Sequence, residues 1–238
     1  MKVLVLGASG ATGKQVVRQL LQKQIHVRII LRANAVLPEE ILGNPLVEAI
    51  RGSITEFTDS ELKNLVTGCD TVISCLGHNI TFKGLFGNPR KLVSDTIRRV
   101  CGTIKHGDSG KVKLVLMSTT AYTNSSSGEK NFPGERSVFF LLYLLLPPHR
   151  DNVLAAKYLL DHIGPDDENL EWLALRPDTL VNSDEVSPYE VYPSPIRSPL
   201  FNSGKTSRIN AGSFMAEAVT DAALWQKWKF KMPVIYNR

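Results

Sequence analysis

Val3-Leu4-Val5-Leu6-Gly7-Ala8-Ser9-Gly10-Ala11-Thr12-Gly13 decides the fold of this chain, because an apolar run leads directly into three regularly spaced glycines. A helical pattern starts immediately afterwards, at Lys14-Gln15-Val16-Val17. In a strand, glycine turn and helix of this order, the backbone approaches a pyrophosphate closely, and the helix directs its free N–H groups and positive dipole end at the anion. The stretch therefore predicts a dinucleotide site near the start of the chain.

The glycine spacing narrows this prediction. It reads G-x-x-G-x-x-G rather than the G-x-G-x-x-G of long-chain dehydrogenases. A P-loop is excluded, because Ala8 and Gln15 stand where that motif needs Gly and Ser or Thr around Lys14. A glycine-rich turn that binds nothing is the alternative. The predicted cofactor contacts in this stretch are Gly7, Ser9, Gly10, Ala11, Thr12 and Gly13.

Composition excludes several classes of protein. The chain has 238 residues, of which 43% are hydrophobic, enough for one sizeable domain. Its net charge of +5 comes from dispersed basic residues, so no nucleic-acid groove is expected. Cys69, Cys75 and Cys101 lack C-x-x-C spacing, which argues against disulfides and zinc and favours a reducing compartment, the cytoplasm. We predict no metal site.

The longest apolar run, from Val138 to Leu146, is too short to span a bilayer, so no membrane span is expected. Arg136 precedes the run and Pro147-Pro148 follows it. We expect a buried core helix, with a substrate wall or a partner interface as alternatives and peripheral membrane contact as a lesser one. The oligomeric state stays open.

Strand-like and helix-like patterns alternate along the rest of the chain. Further strands are predicted at residues 26–31, 47–50, 70–75, 113–117, 170–175 and 233–236. Helices are predicted at residues 11–23, 62–66, 89–106, 152–163 and 214–228, and an irregular loop at 187–195. Near-continuous apolar strands between helices predict one α/β domain over residues 1–238. Its doubly wound, mostly parallel sheet would carry helices on both faces and bind ligands at the strands' carboxyl ends.

The end of the second predicted strand bears on cofactor choice. In an NAD site, an acidic residue about 20 positions beyond the glycines binds the ribose 2′-hydroxyl. Arg32 stands there instead, and no Asp or Glu occurs between Gly13 and Glu39. A guanidinium matches the geometry of a phosphate, so NADP is preferred over NAD. A solvated arginine at a strand end is the alternative.

Other strand ends carry weaker signals. Ser53 and Ile54 would lie against the adenine, and Cys75-Leu76-Gly77 would let the backbone approach the adenosine ribose. After the fifth predicted strand, Ser118-Thr119-Thr120 and Tyr122 place hydroxyls where nicotinamide and substrate should meet. Turn chemistry is the alternative explanation, since Ser and Thr also bond to local backbone.

Together with Lys157 and Leu175-Arg176-Pro177, these residues resemble an atypical short-chain dehydrogenase/reductase. The chain is most similar to the NmrA-like group of NAD(P)-binding proteins, which includes flavin and biliverdin reductases of the B type. The resemblance runs from Met1 to about Pro177 and continues more loosely to the end. It implies a Rossmann-type domain in which Lys157 and Pro177 also contact the cofactor.

One departure from this superfamily concerns the proton donor. Its reductases commonly carry Tyr-x-x-x-Lys, but Val153 stands four residues before Lys157 and has no proton to give. Bulk water is one substitute for the tyrosine. The candidate catalytic residues are Thr120, Tyr122, His149 and Lys157.

Two functional hypotheses follow. The first is an NADPH-dependent oxidoreductase that transfers hydride to a flavin, quinone or similar planar acceptor, since such acceptors need no tyrosine in the B-type reductases. The second is a non-catalytic NADP(H)-binding redox sensor with a redox-dependent protein partner. Isomerase, epimerase or dehydratase chemistry is a third, lesser option. In either main case residues 123–150 and 182–210 are expected to form substrate-side or lid segments.

Overall fold

A computed structural model describes residues 1–78, 81, 87–107, 110–165 and 167–238. The strands are β1 (Lys2–Leu6), β2 (His26–Leu31), β3 (Val47–Arg51), β4 (Thr71–Ser74), β5 (Val112–Met117), β6 (Leu170–Pro177), β7 (Thr179–Val181), β8 (Tyr189–Tyr192), β9 (Lys205–Ser207) and β10 (Val234–Asn237). The helices are α1 (Ala11–Gln22), α2 (Glu39–Leu42), α3 (Asp59–Val66), α4 (Leu92–Lys105), α5 (Glu135–Leu145), α6 (Pro147–His162), α7 (Arg208–Thr220) and α8 (Ala222–Trp228), and a short 3-10 turn spans Ser125–Ser127.

The central sheet has eight strands in the order β3-β2-β1-β4-β5-β6-β10-β8. The strands from β3 to β10 pair in parallel, and β8 adds an antiparallel edge against β10. Strands β7 and β9 form a separate parallel pair beyond the end of β6. This architecture confirms the predicted single α/β domain with a mostly parallel sheet. The carboxyl ends of β1 to β6 consequently meet along one edge.

Two hydrophobic cores cover the two faces of the sheet. Helices α1, α7 and α8 pack over one face and α3, α4 and α6 over the other. Helix α7 lies close against α1, because a Cβ at Gly212 would stand 3.0 Å from the backbone nitrogen of Val16. These two helices therefore pack almost backbone to backbone on this face of the sheet.

The carboxyl-terminal part differs from the sequence prediction. The helix predicted at residues 214–228 is wrong in its bounds, because α7 begins at Arg208, where Ser207 Oγ accepts a hydrogen bond from the Asn210 amide. The same predicted helix is interrupted at Asp221, which caps α8 through the Leu224 amide. Within the loop predicted at 187–195, Tyr189–Tyr192 forms β8, in keeping with the strand preference of Tyr and Val.

The apolar run 138–146 forms most of α5, but the expectation that it is buried is wrong. Phe139 is buried, whereas Phe140 is 64% exposed and Leu145 63% exposed. Among the residues that the structure describes, α5 packs on the domain along one side, and its other side is apolar and exposed. Within the described residues, the structure contains no helix with the length and apolar character needed to cross a membrane.

Candidate cofactor site

The glycine turn between β1 and α1 is shaped by close backbone contacts. Gly7 has a φ of +78°, and a Cβ there would stand 2.7 Å from the carbonyl oxygen of Cys75. A Cβ at Gly13 would stand only 2.1 Å from the carbonyl oxygen of Gly7. Gly10 is exposed, and a Cβ there would come to 3.1 Å from the same oxygen. Packing therefore requires Gly7 and Gly13, whereas Gly10 keeps the outer side of the turn open.

The first turn of α1 presents unused hydrogen-bond donors. Gly10 is the N-cap and offers no side-chain acceptor, and the first turn carries no acidic residue. The amides that open a helix have no partner within the helix. In the described part of the chain no side chain caps them either. Ala11 is exposed at this point while Thr12 and Gly13 are buried, so a small anion can reach the donors from the Ala11 side.

A cavity of about 340 Å³ opens where β1, β2, β3 and β4 end. The predicted cofactor contacts that line it are Gly7, Ser9, Gly10, Arg32, Ser53, Ile54, Cys75, Leu76 and Gly77. Segments after four neighbouring strands therefore converge on one space. Burial raises the pKa of the Cys75 thiol to about 12, so this wall is a neutral surface rather than a nucleophile.

Arg32 follows the last residue of β2 and is exposed at one end of the cavity. Its guanidinium makes no hydrogen bond or ion pair with any residue that the structure describes. A shallower groove continues past Arg32 towards Arg51, which donates a hydrogen bond to the Ala35 carbonyl at 3.2 Å. Glu56 is the acidic residue among the described groove-lining residues. This end of the site is a positively charged recess.

The cavity wall also includes a histidine that a residue on a distant helix orients. His78 lines the cavity, and its side chain is only 6% exposed. Its Nε2 lies 2.8 Å from Oδ2 of Asp151, on α6, whose side chain is fully buried. A carboxylate can only accept, so the geometry assigns the proton of the neutral ring to Nε2, and Nδ1 is the nitrogen that does not face Asp151.

Asp151 also anchors the start of α4. Oδ2 accepts a hydrogen bond from the Val93 amide at 2.7 Å, and Oδ1 accepts from the amide and hydroxyl of Ser94 at 2.9 and 2.6 Å. One buried carboxylate thus caps a helix and orients His78 at the same time. Its charge is favourable at the positive end of the α4 dipole.

Comparison with known families identifies the kind of protein to which this geometry belongs. The sequence model of a family described as NAD(P)H-binding matches residues 7–222. The chain belongs to the NAD(P)H-binding family. A search of curated proteins finds no match to the sequence.

Solved structures share this family fold. A short-chain dehydrogenase/reductase from Veillonella parvula in complex with NADP has a TM-score of 0.70 and 18% identity, covering 99% of this chain and 94% of that chain. A putative NADH-flavin reductase from Streptococcus pneumoniae has a TM-score of 0.68 and 16% identity, covering 100% of both chains. The anaerobillin reductase ChuY from Escherichia coli O157:H7 has a TM-score of 0.67 and 17% identity, covering 100% of this chain and 97% of that one. At these identities the likeness shows the fold.

The structure places the predicted catalytic residues outside the main cavity. Lys157 is exposed and pairs with Asp161 at 3.0 Å. Burial lowers the pKa of His149, whose ring stacks on Phe139 with centroids 6.2 Å apart. Burial raises the pKa of Tyr122, which packs against the core beneath α6. None of these three is among the cavity-lining residues that the structure describes.

The remaining predicted contacts after β5 and β6 are also separate from it. Ser118 is buried, and its hydroxyl has no hydrogen-bond partner among the described residues. Thr119 Oγ1 accepts a hydrogen bond from the Ala121 amide at 3.1 Å, so this hydroxyl bonds to the local backbone of the turn. Pro177, the last residue of β6, is buried. Thr120 lines a second cavity of about 210 Å³.

The second cavity lies between the two segments predicted to form the substrate side. Its wall combines Thr120 with residues from 123–139 and from 194–199. Two buried polar contacts hold this region together. Glu129 binds the buried Arg176 guanidinium, with Oε1 to Nη2 at 2.5 Å and Oε2 to Nη1 at 2.8 Å, and Glu135 Oε1 accepts from Ser198 Oγ at 2.5 Å. These segments are therefore fastened to the end of β6 and to each other.

Sequence reasoning missed His78, Asp151 and Arg51 as parts of the site. Arg51 is the last residue of β3 and carried the same strand-end signal as Arg32. His78 directly follows Gly77, within reach of the same argument. Asp151 had no local signal, because it acts 73 residues away from His78 in sequence.

Proposed function

We propose that the chain is an NADP(H)-dependent oxidoreductase whose hydride acceptor is a flavin, a quinone or a similar planar molecule. The observation that carries this proposal is the Arg32 guanidinium, which has no partner among the described residues and lines a cavity that starts at the open first turn of α1. A free cation and free helix amides suit the two anionic groups of NADP, the 2′-phosphate and the pyrophosphate.

Each part of the cavity would contact a different part of NADP. The amides after Gly10 would bind the pyrophosphate, and Arg32 would bind the 2′-phosphate with paired hydrogen bonds. Arg51, in the continuous groove, adds a second positive charge near that phosphate. Ser53 and Ile54 would bound the adenine, and the backbone from Cys75 to Gly77 would bound the ribose side.

Bound NADPH would supply the hydride, and the acceptor must also take up a proton. Val153 cannot provide it, and Tyr122, His149 and Lys157 lie outside the cavity. His78 lines the cavity and is oriented by Asp151 through Nε2. We therefore assign the proton to Nδ1 of His78, with the buried carboxylate stabilising the imidazolium that carries it.

The acceptor class follows from this arrangement. Reduction of a ketone needs a group such as tyrosine to protonate the carbonyl oxygen, whereas a conjugated ring can take up hydride without one. Because Val153 stands at the position of that tyrosine, a flavin or quinone is a better candidate acceptor than a ketone. Residues from 123–139 and 194–199 line the second cavity, and the segments 123–150 and 182–210 to which they belong are the proposed substrate side. Similar folds include a protein described as a putative NADH-flavin reductase and another described as an anaerobillin reductase.

The proposed compartment is the cytoplasm. Cys69, Cys75 and Cys101 are all free and buried. Thiols that stay unpaired are typical of a reducing environment.

A non-catalytic NADP(H)-binding sensor is the second candidate. It is favoured by Val153 and by the exposed Lys157, whose ammonium is engaged with Asp161 rather than directed into the cavity. A sensor would bind the oxidised and reduced cofactors with different affinities and capture a protein partner in one redox state only.

Turnover separates the two candidates. Purified protein is mixed with NADPH and, in turn, riboflavin, flavin mononucleotide and menadione, and the loss of nicotinamide absorbance is followed. The oxidoreductase proposal predicts enzyme-dependent oxidation with at least one acceptor and a lower rate in His78→Gln. If no acceptor raises the rate above that without protein while NADPH still binds, the enzyme proposal fails and the sensor is favoured.

A further inference from the structure

The open side of α5 is an apolar surface that none of the described residues covers. We call Val138, Phe140, Leu141, Leu144 and Leu145 the α5 face; their exposed fractions are 36%, 64%, 53%, 57% and 63%. Their spacing along the helix places them in one stripe on the same side. A stripe of five large exposed side chains is more than the scattered apolar residues of an ordinary surface.

The stripe extends beyond the helix. Phe201 is 66% exposed, and its ring stands 3.5 Å from the position of a Cβ at Gly134, immediately before α5. The opposite side of α5 carries Phe139, which lines the second cavity. One helix therefore separates that cavity from an exposed apolar surface.

The charged residues within the segment that carries the α5 face are all positive. From Arg136 to Arg150 the sequence contains no Asp or Glu. Arg136 is exposed and has no ion pair or hydrogen bond within the described part of the chain, while Arg150 lies over the Tyr143 ring at 5.3 Å. Glu135, at the helix start, is buried and bonded to Ser198. An apolar helix face flanked by basic residues is typical of helices that lie in a membrane interface.

The same charges argue against a second copy as the occupant. A two-fold pair would bring the same face from both molecules together. Arg136 and Arg150 of both copies would then surround one seam, with no carboxylate in this segment to neutralise them. An anionic surface meets both the apolar stripe and the arginines.

We propose that the α5 face docks on an anionic lipid surface. Helix α5 lies parallel to that surface, with its apolar side chains among the upper acyl chains and Arg136 and Arg150 at the level of the phosphates. This surface is independent of the cofactor cavity, so the inference stands whichever function the cavity serves.

Co-sedimentation with vesicles tests the proposal. The full chain is mixed with vesicles of phosphatidylcholine alone or of phosphatidylcholine with phosphatidylserine. Binding to the anionic vesicles is expected, with much weaker binding to the neutral ones and release at high salt. The double variant Leu141→Ser/Leu144→Ser should bind at least about tenfold more weakly. Arg136→Gln should weaken binding to the anionic vesicles about fivefold.

A matched control removes exposed apolar side chains elsewhere. Val36 and Val186 are 83% and 45% exposed and lie outside α5, so Val36→Ser/Val186→Ser should bind like the wild type. Thermal melts of every variant show that it is folded. Absence of binding by the folded wild type, or equal binding by Leu141→Ser/Leu144→Ser, overturns the proposal. A concentration-dependent dimer that this double variant abolishes would assign the face to a second copy and likewise overturn it.

Discussion

Replacing Asp151 by Asn tests whether this side chain organises the candidate site. Each carboxylate oxygen accepts two hydrogen bonds, Oδ2 from His78 and Val93, and Oδ1 from the amide and hydroxyl of Ser94. An asparagine NH₂ group must replace one of these oxygens. Whichever way the amide turns, it faces at least one buried backbone N–H, and two donors cannot bond to each other.

The cost follows from that conflict. A buried amide left without an acceptor costs about 1–3 kcal/mol. The bonds that survive also lose their charge, and charge-assisted bonds are roughly twice as strong as neutral ones. Together these effects predict a loss of about 3 kcal/mol in the free energy of unfolding. For a chain of this length that corresponds to a fall in Tm of roughly 6–12 °C.

Urea unfolding and thermal melts of Asp151→Asn measure this loss. The matched control is Asp161→Asn, which removes a carboxylate from the same helix. Asp161 is 41% exposed and pairs with Lys157, and exposed pairs contribute at most about 1 kcal/mol. If Asp151→Asn unfolds within about 1 kcal/mol of the wild type, or no more easily than Asp161→Asn, the anchoring role of Asp151 is refuted.

Four further predictions follow from the structure. Gly13→Ala should destabilise the fold severely, because its Cβ would stand 2.1 Å from the Gly7 carbonyl oxygen. A Cβ at Gly102, in α4, meets no atom within 4 Å, so Gly102→Ala should raise the free energy of unfolding by about 1 kcal/mol. Chemical denaturation compares the two variants. Cys75 should resist iodoacetamide at pH 8 until the protein unfolds, because its pKa is about 12; labelling before denaturation would contradict this. Burial lowers the pKa of His149 below its ordinary 6.5. As the pH falls below 6.5, the wild type should therefore lose stability relative to His149→Gln. A stability difference that is the same at pH 5 and pH 8 would show that the ring is solvated. His78→Gln should lower kcat about 100-fold with NADPH affinity nearly unchanged; a fall in affinity alone would make His78 a binding residue only.

Local patterns predicted the sheet well because each strand is a buried apolar run bounded by turn residues. The run before Gly7 became β1, the centre of the first half of the sheet. Helix bounds were less accurate where a single cap decides them. Ser207 starts α7 with Asn210 at the third helical position, so the Glu or Gln of a capping box is missing. The burial of residues 138–146 was also mispredicted, because hydrophobicity does not show which side of a helix finds a partner.

Sequence patterns likewise predicted one part of the candidate site and missed another. The glycine turn, Arg32 and the segments from Ser53 and Cys75 follow strands directly, so the parallel topology brought them together. The contact between His78 and Asp151 joins a loop after β4 to a distant helix, and no local pattern reports such a pair. Lys157 is the opposite case: the sequence predicted a cofactor contact, but its position on α6 leaves the side chain exposed beside Asp161.

The affinity of the protein for NADPH relative to NADH tests the central proposal most directly. Fluorescence titration of wild type, Arg32→Ala and the control Arg136→Ala gives Kd for both cofactors. We expect the wild type to prefer NADPH, Arg32→Ala to lose about 10- to 150-fold in NADPH affinity with little change for NADH, and Arg136→Ala to match the wild type. Equal weakening of both cofactors by Arg32→Ala, or a wild-type preference for NADH, would contradict the assignment of the 2′-phosphate to Arg32.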